Sequence, residues 1–97
     1  MFDTRFEING KFAPELALDY IEVYVKDTNQ GKIKINELLN NAFGNDKNNH
    51  GRLIHIEKNI KSLWNMTNKY IKGELSLKNL PPEISDCLIK LSKTIKQ

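Results

Sequence analysis

One uninterrupted helical pattern runs from residue 52 to residue 72 and constrains the fold more than any other stretch of the chain. Apolar or weakly polar residues recur there every three or four positions, which is the spacing of one face of an α-helix. These residues are Leu53, Ile56, Ile60, Leu63, Thr67 and Tyr70. Trp64 and Ile71 widen the same face. The sequence therefore predicts a long amphipathic helix with a buried apolar stripe, ended by Gly73.

Shorter patterns on either side predict three further helices. Pro14 suits a first helical position because its φ is fixed and it has no N–H to leave unbonded, so we expect a first helix from there to about residue 26. The polar run at 27–31 should end that helix. Asn36 is a favourable N-cap for a short helix over residues 37–43. Pro82 should begin a last helix that reaches about residue 96.

These four helices and their short connections favour an all-α fold, a small bundle around the long helix. We expect the 97 residues to form one helical domain with an N-terminal arm. An α+β fold is the alternative, because residues 4–8 and residues 32–35 both alternate in polarity and could pair as a two-stranded ribbon. The Asn9-Gly10 pair favours a turn directly after the first of these segments.

The charge of the chain is distributed unevenly. The net charge is +3, but residues 1–30 contain six acids and three bases, whereas the remaining residues contain six acids and twelve bases. This asymmetry favours either a basic binding face or an acidic first third that packs against the basic remainder. No run approaches the roughly 18 apolar residues of a membrane span, and no secretory signal is recognisable, so we expect no membrane partner. With a single cysteine, Cys87, we expect a cytoplasmic protein.

No residue pattern predicts catalysis. His50 and His55 are five positions apart, which does not place them on one helix face, and neither has a further ligand at metal-binding spacing. Glu83 and Asp86 lie near the start of a predicted helix, where the helix dipole favours acids. We therefore expect no enzyme, no metal and no cofactor. Polar residues at the start of the long helix could bind a phosphate or a carboxylate, but helix capping is the simpler explanation. These residues are Asn48, Asn49, His50, Arg52 and His55.

Binding is the remaining class of function, and the long helix offers two candidate surfaces. Apolar residues outside the buried stripe are candidate anchors for a protein partner or a second copy of the chain. They are Ile54, Trp64 and Met66. Basic and amide residues on the polar side could instead contact nucleic-acid phosphates. They are Arg52, Lys58, Lys61, Asn65, Lys69 and Lys72. We expect a non-enzymatic protein-binding module that acts as an adaptor, inhibitor or regulatory subunit, with an accessory nucleic-acid-binding protein as the alternative.

Overall fold

A computed structural model describes residues 6–95 of the chain, with side chains described for residues 6–93. The strands β1 (Glu7–Ile8) and β2 (Lys11–Phe12) are followed by the helices α1 (Ala13–Lys26), α2 (Thr28–Phe43), α3 (Asn49–Ile71) and α4 (Pro82–Ile95). A 3-10 turn, Leu77–Asn79, lies between α3 and α4. The predicted all-α class and the number of helices are confirmed, and α3 is the longest helix at 23 residues.

The chain divides into two compact units, Met1–Ile60 and Lys61–Gln97, and α3 contributes residues to both. The first unit contains the ribbon, α1, α2 and the first half of α3. The second contains the rest of α3, the 3-10 turn and α4. Residues 1–5, which belong to the expected N-terminal arm, lie outside the described residues.

The largest departure from the sequence prediction is α2, which begins at residue 28 rather than residue 37. The expected loop at 27–31 is wrong, as is the strand at 32–35 that the α+β alternative required, and Asn36 lies inside α2 rather than at its N-cap. Asp27 is the N-cap instead, because its Oδ1 accepts a hydrogen bond from the Gln30 N–H at 3.1 Å. Residues two apart on a helix lie on opposite faces, so the alternation at 32–35 fits a helix as well as a strand.

The connection between α1 and α2 consists of Asp27 alone. Its N–H donates to the Val23 carbonyl at the end of α1, and its own carbonyl accepts from the Gly31 N–H, both at 2.9 Å. Its backbone is extended, with φ −151° and ψ 100°. One residue therefore forms hydrogen bonds with both helix ends and turns the chain between them.

The ribbon of the α+β alternative exists, but the predicted pairing of its strands is wrong. Strand β1 pairs with β2, with Glu7 opposite Phe12 and Ile8 opposite Lys11, rather than with residues 32–35. The turn residues Asn9 and Gly10 have φ values of 53° and 81°, as a two-residue hairpin of type I′ requires. The Asn-Gly signal therefore correctly predicted a turn, and the partner strand follows it directly.

In the first unit, α1 and α2 are in close contact at Gly31. A Cβ atom at Gly31 would lie 2.5 Å from Tyr24 Cα, a distance that no side chain can adopt. Apolar side chains of both helices are buried beside this contact, together with those of the first half of α3. They are Ala13, Leu16, Ala17, Ile21, Ile35, Leu39, Leu53, Ile56 and Ile60. Their burial is the main stabilising contribution to this unit.

Helix α3 buries the predicted stripe from Leu53 to Thr67, while Tyr70 is half-buried. The helix begins at Asn49, three residues before the start of the predicted pattern. Asp46 accepts hydrogen bonds from the backbone at this end of the helix. Asp46 Oδ1 accepts from the Asn48 N–H at 2.8 Å, and the Asp46 carbonyl accepts from the Asn49 N–H at 3.1 Å.

The predicted end of α3 at Gly73 is confirmed by a Schellman motif. Gly73 has φ 78° and donates to the Tyr70 carbonyl, while the Glu74 N–H donates to the Lys69 carbonyl. In the second unit, α4 begins at Pro82 as expected and buries Leu88 and Leu91.

Candidate protein-binding surface

Three large apolar side chains are exposed among the residues whose side chains are described. Phe12 on β2 is 41% exposed, Ile33 on α2 is 50% exposed and Ile54 on α3 is 37% exposed. The sequence prediction placed Ile54 on the polar side of α3, and the structure confirms that position. It missed Ile33 as a surface residue, because the predicted helix began only at residue 37. Recognising Asp27 as an N-cap would have given the correct helical phase.

Ile54 lies on a face of α3 that is otherwise basic or neutral. At about 100° per residue, six exposed residues fall within a sector of roughly 80° around the helix axis. They are Ile54, Lys58, Lys61, Asn65, Lys69 and, just past the last helical residue, Lys72. We call these six residues the basic face of α3. The two surfaces expected from the sequence, an apolar anchor and a lysine stripe, therefore overlap on one helix face.

The positive charge of the basic face is not compensated within the described part of the chain. None of its four lysines forms an ion pair with a described residue. None of the described acids of the first third therefore pairs with these four lysines. Lys58 and Lys61 are three residues apart, as are Lys69 and Lys72, a spacing at which like charges repel each other on a helix. A negatively charged ligand would relieve this repulsion.

Glu57 is the single acidic residue of α3, and its carboxylate faces α1 and α2 rather than the basic face. The Tyr24 hydroxyl donates a hydrogen bond to Glu57 Oε2, and Lys32 Nζ lies 3.9 Å from the same oxygen. Burial, followed by this hydrogen bond and the nearby charge, raises the pKa of Tyr24 to about 12. Tyr24 is therefore a protonated donor at neutral pH, and it keeps the Glu57 carboxylate within the helix contacts of the first unit.

Arg52, which the sequence grouped with the lysines, is engaged within the first unit. Its guanidinium carbon lies 3.7 Å above the centroid of the Phe43 ring. Its Nη1 donates to Asn49 Oδ1 at 2.9 Å and lies 3.3 Å from Asp46 Oδ2. The hydrogen bond from the Asn48 N–H and the contact with Arg52 lower the pKa of Asp46. Arg52 thus connects α2, α3 and the loop between them.

Asn49 completes this network from a buried position. Its Nδ2 donates to Asn40 Oδ1 at 3.2 Å and to the Gly44 carbonyl at 2.9 Å, while its Oδ1 accepts from Arg52. Every one of these partners belongs to the protein itself. Asn49 and Arg52 therefore connect the start of α3 to α2 and to the loop after it.

A shallow cleft of about 290 Å³ lies beside this network. Phe6, Asn48, Gly51, Arg52 and His55 line it, and the Phe6 ring centroid is 6.4 Å from that of His55 and 6.5 Å from that of Phe43. One guanidinium nitrogen of Arg52, Nη1, already contacts Asn49 and Asp46, which leaves fewer donors for an anion in the cleft.

Trp64 and Met66, the other two expected partner anchors, are half-buried and do not share the sector of Ile54. Their directions differ from that of Ile54 by about 80° and 120° around the helix axis, and they lie on opposite flanks of α3. A single partner surface therefore cannot contact Ile54, Trp64 and Met66 together. Of the expected apolar anchors, Ile54 is the one surrounded by the lysines.

The fold and this surface define a small all-α protein in which one helix face carries lysines and an exposed apolar side chain. Comparisons with protein-family models, curated proteins and solved structures found no match to the chain. Among the described helices, none combines the length and the apolar character needed to cross a bilayer. Within the same residues, no three His, Cys, Asp or Glu side chains are grouped so that they could hold a metal ion.

Proposed function

We propose that this chain is a non-enzymatic protein-binding module, an adaptor, inhibitor or regulatory subunit, that binds its partner through Ile54 on α3. The observation that carries this proposal is a large apolar side chain exposed on an otherwise polar helix face. Burying such a side chain against a partner is favourable by about 25 cal/mol per Å² of apolar surface. The polar groups around it would form the rim of the interface.

The rigidity of its surroundings supports Ile54 as an anchor. Leu53 and Ile56, beside Ile54 in α3, are buried in the first unit. Arg52 and Glu57 connect the same two turns of α3 to α2 and α1. A side chain on a helix that is already fixed loses little further freedom when it binds.

An accessory nucleic-acid-binding function is the second candidate, and the four lysines without ion pairs favour it. Phosphate contacts need only positive charge in a row, which the basic face supplies. Two features weigh against it. Arg52 is engaged with Phe43 and Asp46, and the apolar side chain of Ile54 gains nothing from a phosphate backbone. The basic face also contains no aromatic residue on which a base could stack.

Selection from a displayed random-peptide library tests the proposal. The bait is the full chain, and each enriched peptide is measured against Ile54→Ser and against the matched control Ile33→Ser. Serine removes the apolar group without changing the charge of the basic face. Both positions are exposed, so both variants should keep the far-UV circular dichroism of the parent protein.

We expect enriched peptides to bind the parent chain and Ile33→Ser equally, and to bind Ile54→Ser about tenfold more weakly. Failure to enrich any peptide, or enrichment of peptides that bind Ile54→Ser as well as the parent chain, would contradict protein binding through this residue.

A further inference from the structure

We propose that the partner of the basic face is an acidic protein segment that carries an apolar side chain among its carboxylates. This inference rests on the protein binding proposed above and specifies the chemistry of the partner. It follows from three features of α3: an exposed Ile54, lysines without ion pairs around it, and an acid, Glu57, whose carboxylate is used elsewhere.

The lysines favour an acidic partner because they have no competing acid within the described structure. Lys58 and Lys61 are exposed and form no ion pair with a described residue, so a carboxylate can approach them without breaking an existing bond. A purely apolar partner would have to desolvate both ammonium groups without pairing them, which is unfavourable. A basic partner would be repelled, which gives the surface specificity as well as attraction.

Glu57 would be the natural internal competitor for these lysines, and the fold removes it from the basic face. Its carboxylate accepts the hydrogen bond of Tyr24 and lies beside Lys32. Since Tyr24 is buried and its pKa is raised to about 12, this bond persists throughout the neutral range. The Glu57 carboxylate therefore forms no ion pair with the lysines of the basic face.

The helix geometry sets the spacing of the partner's groups. Lys58 and Lys61 follow Ile54 by about 6 Å and 10 Å along the axis of α3, which correspond to one and two turns. A helical partner segment would contact Ile54 through an apolar residue, and Lys58 and Lys61 through acids four and seven positions from it. Amphipathic helices dock on surfaces in this arrangement. Further acids could reach Lys69 and Lys72.

Fluorescence anisotropy with defined probes tests the inference. The first probe is a labelled helical peptide of about 14 residues with one leucine and with glutamates four and seven positions from it. Its three relatives replace the glutamates by glutamine, replace them by lysine, or replace the leucine by serine. A labelled generic DNA duplex is the fifth probe. Each is titrated at about 50 mM and about 200 mM salt, because screening weakens exposed ion pairs.

We expect the glutamate peptide to bind most tightly, with affinity about tenfold lower for the glutamine and serine relatives. The combined variant Lys58→Glu with Lys61→Glu should no longer bind the glutamate peptide and should bind the lysine peptide instead. The matched control, Lys34→Glu with Lys47→Glu, reverses the same charge at exposed positions outside α3 and should retain the parent preference.

The outcomes separate this inference from the proposed function. Equal binding of the glutamate and glutamine peptides, both lost in Ile54→Ser, would leave protein binding intact and overturn the acidic partner. Binding of the duplex alone, with a steep salt dependence, would overturn both and favour the nucleic-acid function. The absence of binding by every probe would also overturn the inference, while peptides enriched from the library would still support protein binding.

Discussion

Replacing Gly31 by alanine should have two opposing effects on stability, a gain from helix propensity and a loss from overpacking. The structure predicts that the loss is larger. Alanine is favoured over glycine inside a helix by about 1 kcal/mol. At Gly31, however, the new Cβ atom would lie 2.5 Å from Tyr24 Cα and 2.9 Å from two atoms of the Tyr24 side chain. Overpacking typically destabilises a protein by about 1–3 kcal/mol, and the upper part of that range applies because the closest atom belongs to the backbone of α1.

The expected net loss for Gly31→Ala is about 1–2 kcal/mol of unfolding free energy, which lowers Tm by roughly 5–15 °C. Thermal and urea unfolding followed by far-UV circular dichroism measure it. The matched control is Gly51→Ala, which adds the same methyl group in the first turn of α3, where no atom lies within 4 Å. That variant should gain about 0.5–1 kcal/mol. A Gly31→Ala protein as stable as the parent would refute the close approach of α1 and α2.

Three further predictions concern the polar contacts of the first unit. Because the pKa of Tyr24 is raised from 10 to about 12, its contribution to stability is complete below pH 10 and is lost as pH rises toward 12. In a pH titration followed by tyrosinate absorbance, the step at the highest pH should therefore be missing in Tyr24→Phe. Asn49→Ala removes three hydrogen bonds made by a buried side chain and should lower the free energy of unfolding by about 1–3 kcal/mol, whereas Asn48→Ala, with an exposed side chain, should change it little; urea unfolding measures both. Asp27→Ala removes the N-cap of α2 and should cost about 1 kcal/mol by the same assay, with Asn29→Ala as the neutral control.

Helix α3 could be predicted from the sequence because its signal is long. A three-four apolar spacing sustained from Leu53 to Thr67 fixes which side of the helix is buried. That phase also placed Ile54 and the lysines correctly on the exposed face. These are local properties of one helix, and they need no knowledge of the neighbouring elements.

Helix α2 could not be predicted correctly because its determinants lie partly outside its own sequence. Taken alone, Gly31 in a polar run disfavours a helix. In the structure, glycine is required at that position by the backbone of Tyr24, seven residues earlier in α1. The first turn is stabilised by the side chain of Asp27, which the sequence prediction assigned to a loop.

The composition of the candidate surface depended on contacts between distant parts of the chain. Arg52 has the same charge as the lysines, and only the positions of Phe43 and Asp46 show that its guanidinium is already bound. Likewise, Glu57 is separated from Tyr24 by 33 residues, so the direction of its carboxylate, away from the basic face, could not be deduced from α3 alone. The sequence therefore identified the face, and the folded structure determined which charges remain available on it.

The single-residue junction at Asp27 also determines where the chain can change in length. Its N–H, carbonyl and side chain are each bonded to a neighbouring helix end, so an inserted or deleted residue would break those bonds and rotate Gly31 away from Tyr24. Leu75, by contrast, lies between the Schellman motif, which includes the Glu74 N–H, and the 3-10 turn, which the Ser76 side chain caps, and it belongs to neither. Insertions, whether acquired in evolution or introduced to attach a tag or a second domain, should therefore be tolerated better at Leu75 than at Asp27.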